Sequence, residues 1–148
     1  MSIIDEKKLA KAYNHALKLE KAGKRDEAAA AWREVLEIDP DDHGGASVRL
    51  ASLGFGDAPD RAPEAYVTTL FDQHADVFDK VLVEDLGYHV PLILRQRLMD
   101  IGAGPFERVL DLGCGTGLTG GALEDMAEDV TGVDLAENMV QIAHEKGL

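Results

Sequence analysis

The chain has 148 residues, with 15 Lys and Arg against 28 Asp and Glu and a formal net charge of −13. Apolar residues make up 45% and charged residues 29%, the composition of an ordinary globular protein and not of a disordered or fibrous one. No stretch approaches the ~20 apolar residues of a membrane span, the opening residues lack the basic-then-apolar order of a secretory leader, and the single Cys114 excludes an internal disulfide framework.

These features predict a cytoplasmic protein. The charge is uneven: residues 1–60 carry 9 basic and 12 acidic side chains, and residues 61–148 carry 6 and 16. An acidic second half repels nucleic-acid backbones, whose affinity comes largely from Lys and Arg. It also repels anionic lipid surfaces. Neither nucleic acid nor membrane is expected as a partner.

The first predicted element is a helix over residues 5–22. Leu9, Ala12, Tyr13, Ala16 and Leu17 form one apolar stripe at helical spacing. Gly23 stops it. A second helix is predicted from about Asp26 to Ile38, with Ala28, Ala31, Trp32, Val35 and Leu36 on one side. Asp39-Pro40-Asp41-Asp42 ends it, because Pro cannot continue a helix and the acids favour a turn. The pair forms a helical hairpin.

Gly23, Ala28, Trp32, Val35 and Pro40 resemble the second half of a tetratricopeptide repeat. Residues 44–54 would supply part of a second, degenerate repeat. Such units normally need about three copies to bury their faces. The resemblance implies a protein-binding surface on the N-terminal helices, and the plain alternative is a helical accessory element. Residues 1–54 are taken as this segment.

Gly54 to Pro63 is dense in Gly, Pro and Asp and reads as a boundary loop. Helices are predicted over Glu64–Lys80 and Gly87–Gly102. Phe71, His74 and Phe78 in the first are spaced as a buried stripe. In the second, Pro91 sits in the first turn, where its missing N–H costs least. Residues 55–105 thus form a linker with two helices.

From residue 106 the rhythm changes. Strands are predicted over Arg108–Leu112 and Asp129–Val133, with helices over Leu118–Ala127 and Ala136–Lys146. Strand, Gly turn, helix, strand, acid, helix opens a parallel α/β sheet. Gly113, Gly115 and Gly117 alternate where the first strand becomes a helix. Glycine there lets a ligand lie against bare backbone. Asp111 stands two residues before the first Gly, and Asp134 ends the next strand. Parallel neighbours place these ends side by side, where a carboxylate can accept ribose hydroxyls.

Gly115 to Gly120 satisfies G-x-G-x-x-G, the dinucleotide fingerprint, which keeps a nicotinamide-linked oxidoreductase as an alternative. The longer string Asp111-Leu-Gly-Cys-Gly-Thr-Gly117 matches another pattern better. With Val130-Thr-Gly-Val-Asp134 and Met139, it resembles the class I S-adenosylmethionine-dependent methyltransferases, in the group with an N-terminal tetratricopeptide-like segment. The resemblance implies a Rossmann-like sheet and S-adenosyl-L-methionine as cofactor. Gly113, Gly115 and Gly117 would line its methionine portion. Asp111 would organise the loop or hold the amino group, and Asp134 would grip the ribose. Met139 would pack beneath. The helix bearing Phe71, His74 and Phe78 would act as a lid. A sulfonium and an ammonium suit an acidic pocket better than a pyrophosphate does.

The resemblance leaves the catalytic residues and the methyl acceptor unnamed, though it implies a small molecule. Cys114 has no base or cation beside it in sequence and reads as a packing residue. His15, His43, His89 and His144 are scattered, and no metal site is expected. After Gly117 the sequence offers 31 residues, so the expectation is the first β-α-β-α portion of the core, residues 106–148, apparently truncated. A chain of that kind would bind cofactor weakly or act instead as a helical interaction module.

Overall fold

Asp5 starts the first helix: its carboxylate accepts the Lys8 N–H at 3.1 Å, filling one of the donors a helix start leaves open. Helix α1 (Glu6–Lys21) is joined by a short turn to α2 (Arg25–Ile38). The computed structural model describes residues 5–148. These fall into two compact units, one ending at Thr69 and the other beginning at Leu70.

In the first unit, the predicted stripes of α1 and α2 meet. Trp32 is fully buried among Ala16, Ala28, Ala29 and Val35. Tyr13 packs edge-on against it, with ring centroids 5.0 Å apart. The indole N–H donates to Glu20 Oε2 at 2.8 Å, and Arg49 donates to Glu20 Oε1 at 2.9 Å. The Arg49 guanidinium also lies 5.5 Å from the indole ring centroid, within cation–π range. One carboxylate thus satisfies a buried indole and holds α3 (Ala46–Ser52) to the hairpin. The acidic turn also has a defined task. Asp39 accepts the His43 N–H at 2.8 Å, and Asp42 accepts the Ala46 and Ser47 N–H groups at 2.5 and 3.0 Å, capping α3.

Helix α4 spans Glu64–Asp79 and runs into a π-helical segment, Lys80–Asp85. There the Leu86 N–H reaches back five residues to the Val81 carbonyl at 3.0 Å. The sequence pattern had no signal for that segment. Of the predicted stripe Phe71, His74 and Phe78, Phe78 is half-buried against the Ala75 cluster and the other two are not buried. Phe71 is 37% exposed and His74 is exposed, while Ala75 is buried. The α4 face that packs carries Asp72, Ala75 and Asp79. Phe71 stacks edge-on against Phe78 at 6.0 Å along an open apolar groove.

Helix α5 (Val90–Asp100) begins three residues later than its apolar pattern suggested. Arg95 anchors it, donating to the Ala122 carbonyl at 2.9 Å and to both oxygens of Asp125. Strands β1 (Phe106–Leu112) and β2 (Ala127–Val133) each start two residues before their predicted limits. They pair in parallel, with Phe106 opposite Ala127, Asp111 opposite Gly132 and Leu112 opposite Val133. Between them, α6 (Leu118–Leu123) is shorter than predicted. The Met126 N–H folds back to the Leu123 carbonyl at 2.8 Å, which frees Ala127 to begin β2. Helix α7 (Glu137–Glu145) follows. Because side chains alternate along a strand, Val109 and Asp111 share one face with Val130 and Gly132. Leu110 and Leu112 lie on the other and are 60% and 75% exposed.

Candidate functional site

The glycine loop continues the strand ladder. The Gly113 and Cys114 N–H groups both donate to the Val133 carbonyl, at 2.8 and 3.0 Å, so the loop is pinned to the end of β2. The Gly117 N–H closes the turn on the Cys114 carbonyl at 2.9 Å. Gly113, Gly115 and Gly117 have φ values of +83°, +53° and +82°, a region that costs other residues about 1–2 kcal/mol each.

Asp134 reaches into this loop. Its Oδ2 accepts the Gly115 N–H at 2.8 Å, and its Oδ1 accepts the Ala136 N–H at 2.9 Å at the start of α7. The predicted carboxylate at the end of β2 and the predicted loop at the end of β1 are therefore in direct contact. The same carboxylate keeps lone pairs for a further donor, since each oxygen accepts one bond here.

Asp111 stands on the strand face turned toward the helices. Its Oδ2 is buried and has no hydrogen-bond partner among the described residues, the arrangement that calls for an outside donor. Burial pushes its carboxyl above the ordinary range, and the nearby charge of Asp134 adds to that. Burial also raises the Cys114 thiol, followed by the charges of Asp134 and Asp111. Cys114 is thus a poor thiolate, in keeping with a packing role.

The three glycines do different things. A Cβ built on Gly113 or Gly115 would meet no described residue within 4 Å beyond its chain neighbours, so the space beside them is open. A Cβ on Gly117 would lie 2.6 Å from Leu148 and 3.2 Å from Ala143. Packing therefore also demands glycine at that position. A cavity of about 580 Å³ runs along β2 between α6 and α7. Its walls include Asp111, Cys114 and Gly117, but not Gly113, Gly115 or Asp134. The predicted site residues thus divide between that cavity and the loop mouth.

Other residues tie the loop down. Thr116 is buried, and its hydroxyl donates to Asp79 on α4. Lys146 donates to the Thr116 carbonyl at 2.8 Å and to the second oxygen of Asp79. Asp72 accepts the Asn138 N–H at 2.9 Å, capping α7 from outside. Asp72 and Asp79 are seven residues apart, a same-face spacing, but their partners lie too far along the chain for any pattern to indicate. Met139 packs fully buried against Ala75 and Ala136. Among the described residues, no three His, Cys, Asp or Glu side chains converge to hold a metal, and no helix is long and apolar enough to cross a membrane.

Comparison with known proteins matches the same region. Residues 109–147 fit the methyltransferase domain family. A ubiquinone biosynthesis O-methyltransferase of Bordetella avium (strain 197N) is 51% identical over 42 residues, covering 28% of this chain and 17% of that protein. A protein of Geobacillus sp. (strain WCH70) with a provisional methyltransferase name is 36% identical over 76 residues, covering 51% of this chain and 31% of that protein. The chain thus matches less than a third of the length of either relative. No solved structure gives a significant match. The match to the methyltransferase domain family thus falls on β1 from Val109, the glycine loop, α6, β2 and α7.

Proposed function

We propose that this chain carries the S-adenosyl-L-methionine-binding part of a methyltransferase acting on a small-molecule acceptor. One observation carries the proposal: the Asp134 carboxylate lies at the mouth of two parallel strands, hydrogen-bonded to Gly115 of the loop at 2.8 Å. That places an acid with free lone pairs beside open glycine backbone, as ribose recognition requires. The unpartnered Asp111 Oδ2 and the space beside Gly113 and Gly115 fit an ammonium-bearing ligand.

In this assignment Asp134 accepts the ribose hydroxyls while holding Gly115. Asp111 receives the ligand's amino group directly or through water. Gly113 and Gly115 admit the methionine portion, and Gly117 packs the loop onto α7. When bound, the cofactor supplies a methyl group already activated on a sulfonium. The protein then has only to align an acceptor atom in line with it and exclude water. The Bordetella relative is named an O-methyltransferase, which favours oxygen as the acceptor atom.

The remaining assignments belong to the same proposal. Residues 1–54 form a tetratricopeptide-like helical segment able to take a protein partner, residues 55–105 a linker with a lid-like helix, and residues 106–148 the cofactor-binding portion. The buried Trp32 between α1 and α2 supports the first of these. A free thiol at Cys114 fits a reducing, cytoplasmic setting.

Calorimetric titration with S-adenosylhomocysteine and, separately, with NADH tests the assignment. Saturable binding of the first and none of the second is expected. The opposite order would transfer the loop to a nicotinamide-linked oxidoreductase. Binding of neither by the folded chain would leave the helical interaction module as the better account.

A further inference from the structure

Three residues of α4 share one face at i, i+3 and i+7: Asp72, Ala75 and Asp79. Each meets the cofactor half of the fold. Asp72 accepts the Asn138 N–H at 2.9 Å, and its backbone carbonyl accepts Asn138 Nδ2 at 3.3 Å. Ala75 is buried against Ala136 and Met139. Asp79 takes the Thr116 hydroxyl on one oxygen and the Lys146 ammonium on the other. Lys146 in turn donates to the Thr116 carbonyl at 2.8 Å.

Thr116 is therefore held at both its hydroxyl and its carbonyl. It stands between Gly115 and Gly117, which hold φ values of +53° and +82°. Glycines sample such conformations freely and leave them as freely, so these two do not fix the peptide between them. The Thr116 side chain is 1% exposed, and a buried hydroxyl without an acceptor is costly. Asp79 and Lys146 are each about one-third exposed. A pair so open to solvent adds little stability by itself. What they control is the orientation of the Thr116 peptide.

We propose that Asp79 and Lys146 are positioning residues that clamp Thr116 and so present Gly115 to the cofactor in its binding geometry. The inference rests on the cofactor assignment above. It adds that α4 contributes to affinity through Asp79 without touching the ligand.

The test uses the full chain with S-adenosylhomocysteine as probe and compares Asp79→Ala, Lys146→Met, Thr116→Val and Thr116→Ser. Affinity is read by calorimetry, and the thermal midpoint is read beside it. Asp79→Ala and Lys146→Met are each expected to weaken binding about tenfold, the scale of one charge-assisted hydrogen bond. Thr116→Ser keeps the hydroxyl and is expected to bind as the unaltered chain does. Thr116→Val conserves volume, and combining it with Asp79→Ala should cost no more than Asp79→Ala alone, because the two share one bond. Lowered thermal midpoints with unchanged affinity would mean a structural tie only and would overturn the clamp while leaving the cofactor assignment standing. An unaltered chain that is folded and does not bind the probe would overturn both.

Discussion

Asp134 holds Gly115: the carboxylate at the end of β2 accepts the backbone N–H of the middle loop glycine at 2.8 Å, while its other oxygen accepts the Ala136 N–H at 2.9 Å. A single side chain therefore links the middle of the loop after β1 to the start of α7. Removing it takes the acceptor from both N–H groups. In Asp134→Ala, amide exchange at Gly115 and Ala136 should speed up about tenfold or more, the scale of a hydrogen bond to a charged acceptor. Nuclear magnetic resonance of the labelled chain reads this directly. Unchanged protection at Gly115 would mean that the loop is held without Asp134.

Gly132 sits under Cys114. A Cβ there would lie 2.8 Å from both the Cys114 Cβ and Sγ, closer than real carbon atoms approach. Gly132→Ala is expected to destabilise the chain by about 1–3 kcal/mol through overpacking. Cys114→Ala should not rescue it, since the Cβ clash remains, whereas Cys114→Gly should relieve it in part. Denaturant melts of the three variants check the order.

Gly115 combines a positive φ with open space. Gly115→Ala should cost about 1–2 kcal/mol of stability from backbone strain, with no packing penalty, because nothing lies within 4 Å of its Cβ position. A larger loss in urea melts would mean that the loop is more crowded than this geometry allows.

The Asp111 carboxyl is raised by burial and by the charge of Asp134. The folded chain therefore holds a proton on Asp111 at pH values where the unfolded chain has lost it. Between the unfolded and folded pKa values, stability falls as pH rises, and above the folded value the loss is complete. Asp111→Asn removes this penalty. Its thermal midpoint relative to the unaltered chain should thus rise as pH is taken upward from about 4. A difference that is flat with pH would contradict the burial of this group.

Trp32 is the keystone of the N-terminal helices, fully buried with its indole N–H on Glu20 at 2.8 Å. Trp32→Ala should cost about 3–5 kcal/mol. Glu20→Ala should cost about 1–3 kcal/mol, because it strands a buried donor. Chemical unfolding followed by far-ultraviolet circular dichroism measures both.

The elements that bury one face through local periodicity could be read from the sequence. The α1 and α2 stripes around Tyr13 and Trp32, the β1 run and the glycine loop all rest on neighbours close in the chain. The nearness of Asp134 to the loop was also legible, because parallel strands joined by one helix must bring their ends together, but its hydrogen bond to Gly115 was not. What escaped depends on distant partners. Thr116 meets Asp79 from 37 residues away and Lys146 from 30. The π-helical segment after Asp79 is a matter of which carbonyl Leu86 finds. On α4, Phe71 and His74 had the spacing of a core stripe, but the helix packs through the smaller Ala75. Spacing shows that a face exists and cannot choose between two candidate faces.

The most direct test of the account is calorimetric titration of S-adenosylhomocysteine into the chain and into Asp134→Ala. The account predicts saturable, one-to-one binding to the unaltered chain, and affinity reduced at least about tenfold in the variant, since the acceptor for the ribose hydroxyls and the tether of Gly115 are lost together. Equal affinity in the two proteins, with both folded by circular dichroism, would contradict it and place the ligand away from the mouth of β1 and β2.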